Sequence, residues 1–148
     1  MLLGLLIFAF IASFFLAKLE IQIEGKNGWA RDLPTWKKKN ILISKIIGDY
    51  YLTGYHTWLV LTLLVFLNFP FFIGFPWSLS LEIKILAVFF FGACMEDVFW
   101  ILLNPDYGIK KFNKKYITWH KQWVGFIPAF HLKYVIIGEI LLILSYLF

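Results

Sequence analysis

Apolar residues run almost unbroken through four stretches of this chain, and polar residues gather between them. The first stretch is Leu2 to Ala17, closed by Lys18. It is short for the ~20 residues that a hydrocarbon layer requires, so the predicted helix continues through Leu19 and Ile21. The second runs from Tyr55 to Phe75, and Asn68, Pro70, Gly74 and Pro76 crowd its far end, which predicts a kink or irregular structure there. A short turn, Pro76 to Ser80, leads to the third stretch, Leu81 to Leu103, which Asn104-Pro105-Asp106-Tyr107-Gly108 stops. The fourth runs from His131 to the end. These patterns predict an all-α membrane protein: one domain, a compact four-transmembrane-helix bundle, with spans at about 2–21, 55–75, 81–103 and 131–148 and two interfacial loops or helices.

Residues 18 to 55 form the first polar connection. Gly25, Asn27, Gly28 and Pro34 exclude a single long helix. Between Ile41 and Tyr51, Ile43, Ile46, Ile47 and Tyr50 recur at helical steps, which predicts an amphipathic helix on the membrane surface. The second connection is Pro105 to about Phe130. Trp119 and Trp123 are four apart, so a helix there would turn both toward the head groups. On the fourth span, His131, Tyr134, Gly138 and Ser145 form a small or polar stripe, which predicts a helix-packing face.

Composition strengthens the membrane reading. The 148 residues are 61% hydrophobic and 21% aromatic, with mean hydropathy +0.76. A soluble domain of this size has no interior large enough for that much apolar surface. The net charge is +5. Every Lys and Arg except Lys84 and Lys133 lies within 18–45 or 110–121. Positive residues mark the cytoplasmic side, so the expected orientation is multi-pass in the plasma membrane, N-out and C-out, with both loops against anionic lipid head groups. No basic residue precedes the first apolar run, so it reads as a retained span rather than a signal peptide. The single cysteine, Cys94, excludes an internal disulfide and a CxxC metal site.

The polar residues inside the spans carry the candidate chemistry. Glu96 and Asp97 are adjacent in the third span, and Glu139 lies in the fourth. A carboxylate at membrane depth costs roughly 2.5–3.5 kcal/mol on insertion scales, so it calls for a partner such as a proton, a cation or a polar substrate. Glu96 and Asp97 lie roughly 10 Å from the cytoplasmic end of their helix, and Glu139 is at a similar depth. His56 and His131 open two spans, His120 lies in the second loop, and Glu20 and Glu24 close the first span. All of these are expected to line one pocket open to the cytoplasm. Helical spacing puts Glu96 on a face with Gly92 and Trp100, and Asp97 on another with Ile101 and Asn104, so the two acids serve different partners.

Carboxylate and imidazole together suit a divalent metal, Zn, Fe or Mn, with Glu96, Asp97, Glu139, His131, His120 and His56 as candidate ligands. Glu96 and Asp97 are the candidate catalytic groups. No Glu-x-x-His, His-x-x-x-His or His-Glu-x-x-His occurs, so a metal site has to be assembled from distant positions. There is no glycine-rich phosphate loop and no Gly-x-Ser-x-Gly, and the tryptophans among the lysines fit a membrane interface better than nucleic acid. The leading expectation is a cytoplasmic-leaflet pocket that binds a cation, a metal or the head group of an amphiphile. The alternatives are a non-catalytic subunit of a larger membrane complex and a proton- or cation-coupled carrier working as a homo-oligomer.

Two stretches carry a resemblance. Glu24-Gly25-Lys26-Asn27-Gly28-Trp29-Ala30-Arg31-Asp32-Leu33-Pro34-Thr35-Trp36 is one. Glu96-Asp97-Val98-Phe99-Trp100-Ile101-Leu102-Leu103-Asn104-Pro105-Asp106-Tyr107-Gly108, followed by Trp119-His120 and Trp123, is the other. Together they resemble a group of uncharacterised small prokaryotic integral membrane proteins. The resemblance implies a shared site across most of the chain and no particular activity.

Overall fold

The computed structural model describes residues 1–39 and 51–148. The helix expected between Ile41 and Tyr51 falls outside the described residues except for Tyr51, which lies in a short strand. Among the described residues five α-helices form the frame: α1 (Leu2–Glu24), α2 (Gly54–Leu67), α3 (Phe69–Phe72), α4 (Leu79–Leu103) and α5 (Ala129–Leu144). Two of them, α1 and α4, are long and apolar enough to cross a membrane.

Local chemistry sets the helix ends. The Thr53 hydroxyl accepts from the backbone N–H of His56 at 3.1 Å and caps α2, and Ser78 accepts from Leu81 at 3.2 Å and caps α4. The second apolar stretch breaks after 14 helical residues, where Asn68 donates its side chain back to the Leu64 carbonyl and Pro70 has no N–H to give. The short α3 follows.

The fold is mostly helical but not wholly so. β1 (Lys37–Lys39) pairs antiparallel with β2 (Tyr51–Thr53), Lys37 opposite Thr53. β3 (Trp123–Val124) pairs with β4 (Ile127–Pro128) just before α5. The second connection therefore lacks the helix that would turn Trp119 and Trp123 outward. It holds a 3₁₀ turn at Ile109–Lys111, an Asn113 side chain that accepts from Lys115 N at 3.0 Å, and Gly125 at φ +61°. These local bonds compete with helix formation. Trp119 turns inward, edge-on to Trp100 and to Tyr107 with ring centroids 5.4 Å away in both cases.

α4 is the centre of the packing, and α1 and α5 both lie along it. Small residues permit the close approach. The Ser13 hydroxyl of α1 donates to the Gly92 carbonyl of α4 at 2.8 Å. Gly138 of α5 sits on the Phe91 ring, where a Cβ would meet ring carbon at 2.8 Å. The stripe expected on the last helix is this contact face: Tyr134 packs edge-on to Phe90, and the Ser145 carbonyl accepts from Ser80 at 2.6 Å.

The two connections interlock over the ends of α1 and α4. Gly25, at φ +67°, turns the chain out of α1, and Asn104 donates to its carbonyl at 2.8 Å. Tyr107 donates to Lys26 O at 2.7 Å. Beneath them Ala17, Ile21, Trp100, Ile101 and Ile117 form a buried core. α2 touches α4 sparsely. The gap it leaves becomes the cavity described below.

Candidate metal centre

Three elements converge on one carboxylate. Asp97 projects from α4, His131 from the first turn of α5, and His120 from the loop before β3. His120 Nε2 lies 2.8 Å and His131 Nε2 2.6 Å from the same atom, Asp97 Oδ2. An ionised carboxylate only accepts, so both imidazoles donate from Nε2. The side chains are 0% exposed for His120, 6% for His131 and 17% for Asp97. The loop is held in register by the Trp123 indole, which donates to His120 O at 2.8 Å, and by Ala129 N on Gln122 O at 2.9 Å.

Asp97, His120 and His131 form a group able to hold a metal ion, with one ligand atom from each and all three within 4.8 Å of one another. Two imidazoles and a carboxylate are a donor set used by zinc and by non-haem iron. Metal–ligand bonds of roughly 2.0–2.1 Å give tetrahedral edges of about 3.3 Å. The two contacts on Oδ2 are shorter than that, so to hold an ion the imidazoles would have to move outward by about 0.5–0.7 Å and lose their Nε2 protons.

A second polar cluster lies beside the first, between α1, α2 and α4. Tyr55 donates to Glu20 Oε1 at 3.1 Å, and the Glu20 and Glu96 carboxyls lie close to each other. Two ionised carboxylates brought close together repel unless a proton or a cation lies between them. His56 Nε2 faces Glu24 Oε1 at 3.7 Å, while its Nδ1 meets the Thr53 hydroxyl at 2.7 Å. Glu96 Oε1 is buried without a hydrogen-bond partner among the described residues. The Trp100 indole faces Glu24 but closes no hydrogen bond of ordinary geometry among the described residues.

The loop after α1 roofs this cluster. Trp29 and Ala30 both adopt left-handed backbone, at φ 62° and 49°. That geometry is costly for residues with a Cβ and persists where contacts enforce it. Here Ala30 N donates to Glu24 Oε1 at 2.5 Å, the Trp29 indole donates to Tyr51 O at 2.9 Å, and the Trp29 ring stacks on His56 with centroids 4.6 Å apart.

Under the roof lies a cavity of about 230 Å³. Glu20, Glu24, His56, Glu96 and Asp97 line its head, and Leu16, Leu63, Phe66 and Val88 are among the residues lining its apolar remainder. Asp97 thus belongs to both features: it holds the histidines and lines the cavity.

The expected single pocket is two adjoining sites. Asp97, His120 and His131 come together in one, and Glu96, His56, Glu20 and Glu24 in the other. Glu96 and Asp97 point to different partners, as their spacing requires. Glu139 joins neither. It is exposed on α5, because Gly138 faces Phe91 and the next residue turns about 100° away. Tyr55, Trp29 and Trp100 were not foreseen as site residues. The adjacency of Tyr55 to His56, and the turn of Trp100 onto the face of Glu96, are the signals that pointed to two of them. No family model matches the chain, and no curated protein or solved structure matches it significantly.

Proposed function

We propose that this chain is a four-span integral membrane protein with a divalent-metal centre at Asp97, His120 and His131, at the cytoplasmic end of the bundle. The observation that carries the metal reading is the convergence of two buried imidazoles from separate elements on one carboxylate oxygen. Three protein ligands leave a fourth position for water or substrate, the arrangement of catalytic rather than closed structural sites. Asp97 also lines the cavity, and with a metal bound there Glu96 and Glu24 on the same wall would serve to move protons to or from a substrate.

The membrane reading is supported by how little of the apolar surface the fold hides. Only 17% of the apolar window of α1 is buried, and 33% of that of α4. A core helix of a soluble protein is mostly buried. Phe66, Phe72 and Ile136 also stand exposed, on α2, α3 and α5. α2 and α5, with 14 and 16 residues, span about 21 and 24 Å and need their apolar flanks, 68–75 and 145–148, to complete a crossing. The lysine-rich connections fit the cytoplasmic side. Membership of the group of small prokaryotic membrane proteins that the two interlocking stretches resemble belongs to this reading.

Elemental analysis of the purified chain in mild detergent, with Asp97→Asn and His131→Ala, tests it. Near-stoichiometric Zn, Fe or Mn in the parent, lost in both variants, is the expected result. Folded protein that takes up no metal even when reconstituted would sink the reading. The closeness of the Glu20 and Glu96 carboxyls on one cavity wall favours a second one, a carrier that moves a proton or cation through this pair. Uptake into vesicles, driven by a pH gradient and lost in Glu96→Gln, distinguishes it.

A further inference from the structure

The cavity beside the metal centre has a sharply divided lining. At its head stand four carboxyls, Glu20, Glu24, Glu96 and Asp97, beside His56, and no lysine or arginine lines it among the described residues. Trp29, Trp100, Trp119, Phe130 and Tyr134 complete that end with aromatic rings. Past Glu20, the lining turns apolar toward Phe8, about 18 Å further along α1 at the helical rise. Ser13 is the exception, and its hydroxyl is already bonded to Gly92 O.

This head is not saturated. Glu96 Oε1 is buried and lacks a hydrogen-bond partner among the described residues, although the carboxyl lines the cavity. A buried acceptor left without a donor is unfavourable until something bonds it. The donor has to come from the cavity side, and it has to suit a site where carboxyls outnumber basic side chains. A phosphate or a carboxylate head would meet four carboxyls. An alcohol offers a single donor. An ammonium offers three donors and a positive charge, and the surrounding rings present π-faces and edges to it. The Trp100 N–H, also without a hydrogen-bond partner among the described residues, faces the Glu24 carboxyl. A small inorganic cation would use the carboxyls and leave the apolar channel without purpose.

We propose that this cavity binds a single-chain amphiphile with a protonated amine head, an alkylammonium, seated on Glu20, Glu24 and Glu96, with its tail between α1, α2 and α4. The binding is non-covalent and draws nothing from the metal centre. Its substrate-like position next to Asp97 makes such an amine the class of molecule that the metal site would meet first.

The test is saturable quenching of tryptophan fluorescence in the purified full chain, held in a maltoside detergent with a chelator present. Dodecylamine, dodecanol and dodecanoate are the probes, at a pH where the amine is charged. Dodecylamine is expected to bind on the order of tenfold more tightly than dodecanol, and dodecanoate more weakly still. Glu96→Gln is expected to weaken the amine on the order of tenfold. Leu63→Trp, a substitution on the sparsely packed α2, is expected to fill the tail channel and abolish binding while leaving the helical melting curve in place. Equal binding of the three probes, a preference for dodecanoate, or amine affinity indifferent to both variants would overturn the proposal. If Glu96→Gln does not fold, Glu24→Gln and Leu63→Trp decide. The metal reading fails separately, on metal content measured without chelator.

Discussion

His131 Nε2 stands 2.6 Å from Asp97 Oδ2, across 34 residues of sequence. The contact ties the start of α5 to the middle of α4, and His120 completes it from the loop at 2.8 Å. Asp97→Asn keeps the shape and removes the charge. The expected outcome is loss of bound metal together with a fall in stability of about 1–3 kcal/mol from weakened charge-assisted bonds, read from metal content and thermal melting. Unchanged metal content in folded Asp97→Asn would remove Asp97 from the ligand set.

Among the described glycines of the first connection, Gly54 leaves the least room. A Cβ there would lie 2.5 Å from Trp36 Nε1 and 2.7 Å from Thr35 Oγ1. Those neighbours also bond the start of α2: Gly54 N donates to Trp36 O and Tyr55 N to Thr35 Oγ1, both at 2.9 Å. Gly54→Ala is expected to push residues 35–36 off the helix and cost about 1–3 kcal/mol. Thermal melting checks the cost, and a shift in tryptophan emission checks the displacement of Trp36.

Ala30 combines φ 49° with complete burial. Glycine relieves the backbone and loses one methyl, so Ala30→Gly is expected to change stability by less than about 1 kcal/mol. Valine adds bulk where there is none to spare and is poorly suited to left-handed backbone, so Ala30→Val is expected to cost at least about 2 kcal/mol. The pair of melting temperatures tests whether the roof over Glu24 is held by its contacts rather than by its sequence preference. Equal losses in both variants would contradict that account.

Orientation has a direct test. In a Cys94→Ser background, single cysteines at Lys38 and Lys114 are expected to react with a membrane-impermeant thiol reagent in inverted vesicles and not in intact cells. Labelling of either position in intact cells would reverse the orientation or break the shared placement of the two loops.

Much of the frame is legible in the sequence because its helix ends are written in local chemistry. Ser78 and Asn104-Pro105 mark α4 within two residues, and the crowding of Asn68 and Pro70 marks the break after α2. The division of labour between Glu96 and Asp97 is legible as well, since adjacent helical residues diverge by about 100°. The pairing of Asp97 with His120 and His131 is not. No spacing encodes it, since one histidine is delivered by a turn-rich loop and the other by the register of a different helix. Glu139 misled because depth along a helix says nothing of azimuth, which Gly138 sets through the Phe91 ring. The second loop misled because four-residue spacing of tryptophans carries weight only where the backbone is helical, and Asn113, Gly125 and Pro128 prevent that.

The bonds that join α2 to the rest of the described chain were met at Gly54, Tyr55 and His56, all in its first turn. Its remaining three turns lean on the cavity and on α4 without a polar tie of that kind among the described residues. α2 is thus fixed like a door at its hinge post. Guests of differing tail length can be accommodated by a change in its swing, while α1 and α4, clasped by Ser13 and Gly92, keep the carboxyls of Glu20 and Glu96 at one spacing. Selectivity then resides in the head of the guest, and tolerance in its tail.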